Sequence, residues 1–218
     1  MALIDGLIAK YEPYRKNKYP RYSVIFGIVF LFASLVLAFF AIIYATDSAS
    51  GPVTDLILSN IPVFDVDGLF VYGPTIFWII VLAFLIFSVP ERIPFSLKSI
   101  ALFVVIRSVF ISLTHIGPFP THIQINPSGI FGVFTSGNDL FFSGHTGLPF
   151  LMAMIFWDKA KMRWFCFASS VFFGAVVLMG HLHYSIDVFA AFFITYAIFN
   201  MALHLFRRDY AFFAASRK

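Results

Sequence analysis

Two short stretches hold residue types that move protons and phosphoryl groups: "GNDLFFSGHTG" at 137–147 and "GHLHYSIDVFAA" at 180–191. In the first, Ser143 is a good helix N-cap and Gly144 lets backbone approach a ligand closely. A helix starting there offers first-turn N–H groups and the positive end of its dipole to an anion. His145, followed by Thr146 in the Ser-Gly-His-Thr run, can donate to a phosphate oxygen or protonate a departing one. In the second, a helix beginning at His183 puts His183 and Asp187 one turn apart on one face. The carboxylate then accepts from Nδ1, leaves Nε2 unprotonated, and stabilises the cation formed when Nε2 bonds to phosphorus. This is the orienting logic of a catalytic triad with histidine as nucleophile. The plainer alternatives are a capping motif with an interfacial histidine, and a His–Asp bond that pins a helix end.

Metal chemistry is the rival. His181 and His183 with Asp139 or Asp187 supply ligand types that zinc accepts. The helical signature of two histidines one turn apart with an adjacent glutamate is absent from the sequence, and His145 on a helix start suits an anion better than a cation. No metal and no cofactor is therefore expected. His115 and His122 lie in the proline-containing connection "THIGPFPTHIQINPSG" and border the site at most, and His204 suits a helix C-terminus.

What must position these residues is a membrane bundle. The chain is 60% hydrophobic and 12% charged, against roughly 25% charged in a soluble domain. Six apolar runs approach the ~20 residues needed to cross the hydrocarbon core: 22–45, 69–89, 95–114, about 140–157, 164–180 and 184–206. The sequence thus predicts an all-α polytopic membrane protein of six transmembrane helices. Before them, residues 1–21 place Leu3, Ile4, Leu7 and Ile8 on one helical face and then supply Lys10, Arg15, Lys16, Lys18 and Arg21. That pattern predicts an interfacial amphipathic helix with a basic segment drawn to anionic lipid. Residues 22–206 form one membrane domain and 207–218 a basic tail. Cys166 is the only cysteine, so no internal disulfide can form.

Of the 15 Lys and Arg residues, all but Arg107 fall in the N-terminal segment, the "PERIP" turn with Lys98, "DKAKMR" at 158–163, or the tail. Under the positive-inside rule both termini are cytoplasmic. Both motifs then meet the outer leaflet, so the active site is expected at the extracytoplasmic face. Basic residues at membrane boundaries give no nucleic-acid face. Arg107 lies roughly 18 Å along the third span, in its outer half. A buried lone guanidinium needs compensation. It either snorkels to the headgroups or clamps a lipid phosphate with paired donors, and the histidines on the same side favour the clamp.

"NDLFFSGHT" and "HLHYSIDVFAA" resemble the paired signature motifs of sphingomyelin synthases and their relatives. There the first reads Cys-Gly-Asp, three residues, then Ser-Gly-His-Thr, and the second His-x-His-Tyr-Ser/Thr-x-Asp-Val. "RSVFISLTHIGPFP" resembles that family's third-helix segment, and the likeness runs from roughly Phe95 to Phe206. The wider group is the type 2 phosphatidate phosphatase superfamily of six-helix membrane enzymes. The resemblance implies a metal-independent phosphohistidine mechanism at the exoplasmic face, with His183 as nucleophile, Asp187 its orienter and His145 the general acid. Arg107 and Asp139 match further motif positions, and His181 and Tyr184 flank the nucleophile within the second. Gly137 and Asn138 stand where the family has Cys-Gly, and the superfamily's Lys–Arg-Pro motif and upstream Ser-Arg pair are absent.

The residues and the resemblance together give a phospholipid phosphotransferase as the expected function. A glycerophospholipid donates its phospho-headgroup to His183, diacylglycerol leaves, and a lipid alcohol such as ceramide takes the group. The same His–His–Asp site with water as acceptor is a lipid phosphatase or a phospholipase of the C type. The expected partners are the bilayer, the lipid donor and the acceptor. Oligomeric state is not written in the sequence.

Overall fold

The computed structural model describes residues 2–123 and 140–215. In chain order the helices are α1 (Ala2–Lys16), α2 (Lys18–Asp47), α3 (Asp67–Phe87), a 3₁₀ turn (Pro90–Arg92), α4 (Ile93–Leu113), α5 (Gly144–Ile155), α6 (Ala160–Met179), α7 (Ser185–Leu205) and α8 (Arg207–Ala215). Among the described residues there is no strand. Among the described residues five helical segments are long and apolar enough to cross a membrane: α2, α3, Pro90–Leu113, α6 and α7. Their outward faces carry the side chains that lipid accepts, such as Phe32 and Phe40 on α2, Ile76 and Ile79 on α3, and Phe193 on α7.

The stretch expected as the fourth span behaves differently, and the count of six is not reached among the described residues. Helix α5 has 12 residues, about 18 Å at 1.5 Å per residue, against a hydrocarbon core of about 30 Å. It is the buried centre of the bundle rather than a lipid-facing wall: Leu151, Met152, Ala153 and Ile155 are all 2% exposed or less. Its ends are pinned to α4, running the other way, and to the 3₁₀ turn before α4. Arg107 Nε donates to Phe142 O at 3.2 Å at one end, and Arg92 Nη1 donates to Ile155 O at 2.6 Å at the other.

Helix α2 packs on α4 through a stripe of buried small residues, Ser23, Gly27, Ser34, Ala38, Ala41 and Ala45. In lipid, where no hydrophobic force draws helices together, close backbone approach and dispersion do the work. Gly27 shows how close: a Cβ there would lie 3.0 Å from Leu97 Cβ.

The Arg92 end of the bundle holds two of its basic residues inside the protein. Arg92 is 1% exposed and Lys98 7% exposed, so both are covered by protein rather than lying on its surface. Arg92 Nη2 pairs with Asp158 Oδ2 at 2.7 Å and its guanidinium lies over the Phe213 ring at 4.9 Å. Lys98 Nζ donates to Asp209 Oδ2 and Ser23 Oγ, both at 2.7 Å, while Ser23 Oγ and Tyr19 hydroxyl donate to Asp209 Oδ1. A buried ammonium survives only with such partners. Periodicity in sequence does not reveal them, because Asp209 comes from the segment read as tail, within which α8 folds back onto the bundle. At the other terminus, Lys10, Tyr11 and Tyr14 of α1 donate to Phe87 O, Ile86 O and Pro90 O at 2.9, 2.9 and 2.7 Å. The first two bonds reach carbonyls of the last turn of α3, the third adds to the Ile93 N–H on Pro90 O in the 3₁₀ turn, and α2 already begins at Lys18.

Candidate active site

The first turn of α7 assembles the His–Asp pair, by a route the spacing alone did not predict. His183 precedes the helix, whose N-cap is Tyr184. Asp187, at the third helical position, reaches back so that Oδ2 accepts from Tyr184 N at 3.0 Å and meets His183 Nδ1 at 3.2 Å. The pair is made by an N-terminal capping carboxylate rather than by two side chains on one helical face. Both side chains are buried, 5% and 0% exposed. With Nδ1 as the donor to a carboxylate, Nε2 keeps its lone pair.

The first turn of α5 is joined to this pair by backbone. Ser143 N donates to Asp187 O at 3.0 Å, while Ser143 Oγ caps α5 by accepting from Thr146 N at 3.4 Å. The approach has two built-in allowances. At Gly174 of α6 a Cβ would lie 3.0 Å from Val188 Cγ1 and 3.3 Å from Thr146 Oγ1, and at Gly147 one would lie 2.7 Å from the Phe103 ring and 2.8 Å from Thr195 Oγ1. Phe141 and Phe142, with φ of 146° and 20°, bend the chain just before Ser143 through backbone space that L residues rarely occupy. That bend turns the Phe142 carbonyl to Arg107.

Arg107 is half-buried and lies over the start of α5. A Cβ on Gly144 would sit 3.6 Å from its Nε and 3.9 Å from its Cζ. A guanidinium and a helix N-terminus thus converge on one spot, which is what a phosphate needs. His145, half-buried, stacks on Phe70 with ring centroids 4.2 Å apart at 22°. Phe70 packs in one cluster with Leu182 and Val188, which bracket His183 and Asp187.

The remaining expected residues are placed as follows. Thr146 is fully buried: its hydroxyl faces Gly174 and its carbonyl accepts from Ser170 Oγ at 2.6 Å, so its side chain belongs to the interior. Tyr184 is 1% exposed, donates to Gly117 O at 2.8 Å and accepts from Val53 N at 3.1 Å. Burial pushes its phenol up, so it stays neutral. His181 stands apart from the pair, its Nδ1 2.6 Å from Thr121 Oγ1, with φ at 53°. Burial pushes its imidazole down, against smaller upward influences from the Ile61 carbonyl and Asp55. His115 and His122 bond locally, to Ser112 O at 3.2 Å and Phe119 O at 2.8 Å. Asp139 lies outside the described residues. Among the described residues no three His, Cys, Asp or Glu side chains gather as a metal site.

Two contributors were missed in the sequence. Phe70 is one apolar residue in an apolar span and carries no signal. Asp55 is one acidic residue in a loop between two apolar runs, yet its Oδ2 accepts from Ser185 N at 2.7 Å and Ser185 Oγ at 2.8 Å. Ser185 opens α7 two residues before Asp187, so a carboxylate in a Pro- and Gly-bounded loop is the one hint the sequence offered.

Residues 136–205 match the family model described as PAP2 superfamily C-terminal. The matched stretch holds α5, α6 and α7 with both motifs, and it supports the type 2 phosphatidate phosphatase superfamily for that part of the chain. Neither the curated proteins nor the solved structures contain a match.

Proposed function

We propose that this chain is an integral-membrane lipid phosphotransferase of the sphingomyelin synthase-like kind, working through a phosphohistidine. The observation that carries this reading is the meeting of three groups: the His183–Asp187 pair at 3.2 Å, the Ser143 N–H on the Asp187 carbonyl at 3.0 Å, and Arg107 over Gly144. The family match over 136–205 supports a phosphatase or phosphotransferase activity on lipid.

In the first half-reaction, His183 Nε2 attacks the phosphorus of a glycerophospholipid and the P–O bond to diacylglycerol breaks. The departing oxygen takes its proton from His145. Asp187 holds the Nδ1 proton and the positive charge that develops on the ring. Arg107 and the first turn of α5 neutralise the equatorial oxygens. In the second half-reaction a lipid alcohol such as ceramide, deprotonated by His145, attacks the phosphohistidine and regenerates His183. No metal or cofactor enters these steps. By the charge distribution the site opens at the extracytoplasmic face, with both termini inside.

The family match also favours a second reading, in which water replaces the alcohol and the same residues make a lipid phosphatase or a phospholipase of the C type. Mass-labelled phosphatidylcholine, phosphatidylethanolamine and phosphatidate, incubated with the purified chain in mixed micelles with and without ceramide, separate the two. A labelled headgroup on ceramide establishes the transferase. Diacylglycerol with only phosphate or phospho-alcohol, whatever acceptor is offered, establishes the hydrolase. No turnover of any donor, or turnover equal in His183→Ala, rejects both.

A further inference from the structure

The first outer loop sets a carboxylate against the start of α7. Asp55 is 7% exposed and both of its oxygens are engaged. Oδ1 accepts from Ile57 N at 2.8 Å and Leu58 N at 3.0 Å, and Oδ2 from the backbone and hydroxyl of Ser185 at 2.7 and 2.8 Å. Burial pushes the Asp55 carboxyl up, but the bonds from Leu58, Ser185 and Ile57 outweigh it and hold the group below its ordinary range, so it is ionised at neutral pH. The same loop fixes the residue before Ser185, since Val53 N donates to the Tyr184 hydroxyl at 3.1 Å.

A helix start exposes N–H groups that any nearby anion will take. At α7 the nearest carboxylate on the helix itself is Asp187, and its Oδ2 already serves Tyr184 N and His183 Nδ1. Asp187 Oδ1 is buried with no partner, so without another acceptor the Ser185 N–H and hydroxyl turn to the Asp187 carboxylate and rotate it off the imidazole. A phosphate oxygen arriving at the site meets the same donors. Asp55 removes both competitions at once.

We propose that Asp55 is a positioning residue: its carboxylate fills the anion seat at the start of α7, which keeps Asp187 on His183 and confines the substrate phosphate to the start of α5 beneath Arg107. This rests on the proposed reading of His183 and Asp187. Asp55 touches neither the reacting atoms nor the nucleophile, so it acts on turnover through Ser185.

The test uses the full-length chain in mixed micelles of phosphatidate or phosphatidylcholine, comparing wild type, Asp55→Ala, Ser185→Ala and His183→Ala, with thermal unfolding to count folded molecules. For Asp55→Ala, kcat per folded molecule falls about 100-fold, the effect of a displacement of roughly 1 Å, while KM stays within about twofold. Ser185→Ala, which loses only the hydroxyl bond, falls roughly tenfold. An unchanged kcat in folded Asp55→Ala, or a rise in KM alone, overturns the inference. Should Asp55→Ala not fold, an unchanged kcat in Ser185→Ala overturns it instead. An active wild type with a dead His183→Ala and a fully active Asp55→Ala rejects the inference and leaves the site reading standing. An inactive wild type, or an active His183→Ala, rejects the site reading and takes this inference with it.

Discussion

Asp187 Oδ2 serves two donors, one from the backbone that starts α7 and one from the imidazole beside it. An amide oxygen in the same place accepts from both donors, with its NH₂ where Asp187 Oδ1 has no partner, but it brings no negative charge. Asp187→Asn is therefore expected to fold, because both bonds can survive, and to lose on the order of 10³- to 10⁴-fold in kcat, since a neutral amide no longer holds the Nδ1 proton and the positive charge on the ring of the proposed nucleophile. His145→Ala removes the proposed proton donor and leaves Phe70 without its stacked ring; kcat is expected to fall roughly 10²- to 10⁴-fold. Both are read by lipid product analysis beside a thermal unfolding curve. His181 gives a prediction of another kind. Its imidazole is held below the ordinary value by burial, so between that lowered value and about 6.5 the unfolded chain binds more protons than the folded one. Stability therefore falls as pH drops through about 6.5 towards the folded value and levels off below it. His181→Asn, which tolerates the left-handed φ of 53°, should flatten that limb of the unfolding midpoint against pH, and a parallel curve would reject the assignment.

Helix α5 shows what a short element can do when longer ones surround it. Its first turn meets α7 through Ser143 and Asp187, and its flank meets α4 and α6 at two glycines. Gly147→Ala places a Cβ 2.7 Å from the buried Phe103 ring. The variant is expected to lose about 1–3 kcal/mol by overpacking, measured as a lower unfolding midpoint in micelles, and to lose turnover as α5 shifts off Arg107. The motifs that line this junction were legible in sequence because capping residues, a histidine and a carboxylate are conspicuous among apolar neighbours. The long helices were legible for the same reason, by the length of their apolar runs. The depth and shortness of α5 were not, since "GLPFLMAMIFW" reads alike whether lipid or protein surrounds it. Nor were the positive φ angles of Phe141 and Phe142, which the tertiary contacts impose on residues with no preference for them. Asp55 was visible as a charge but not as a cap, because its partner Ser185 lies 130 residues away in sequence.

At the scale of the whole molecule the charges sort by end, but not all of them face water. Breaking the buried pair of Lys98 and Asp209 from one side, as in Asp209→Ala, is expected to cost about 3–5 kcal/mol, while replacing both by apolar residues of similar size costs far less. Thermal unfolding of Asp209→Ala beside Lys98→Met/Asp209→Leu decides the point, and equal losses would reject it. The orientation proposed from charge has its own test. Cys166 is the only cysteine and is buried, so in a Cys166→Ser background a single cysteine at exposed Ser59 should react with an impermeant thiol reagent in intact cells. One at exposed Lys161 should react only after permeabilisation, and the reverse pattern inverts the topology. The same buried pair bears on how the chain is made. Lys98 is synthesised 111 residues before the carboxylate that neutralises it, so during translation its ammonium passes into the membrane end of α4 with no counter-ion. Until Asp209 emerges and α8 folds back, the ammonium has no carboxylate and only water and Ser23 to stabilise it. A chain halted before residue 209 carries a wet, exposed lysine between α2 and α4, a visible mark of incompleteness for whatever inspects newly made membrane proteins.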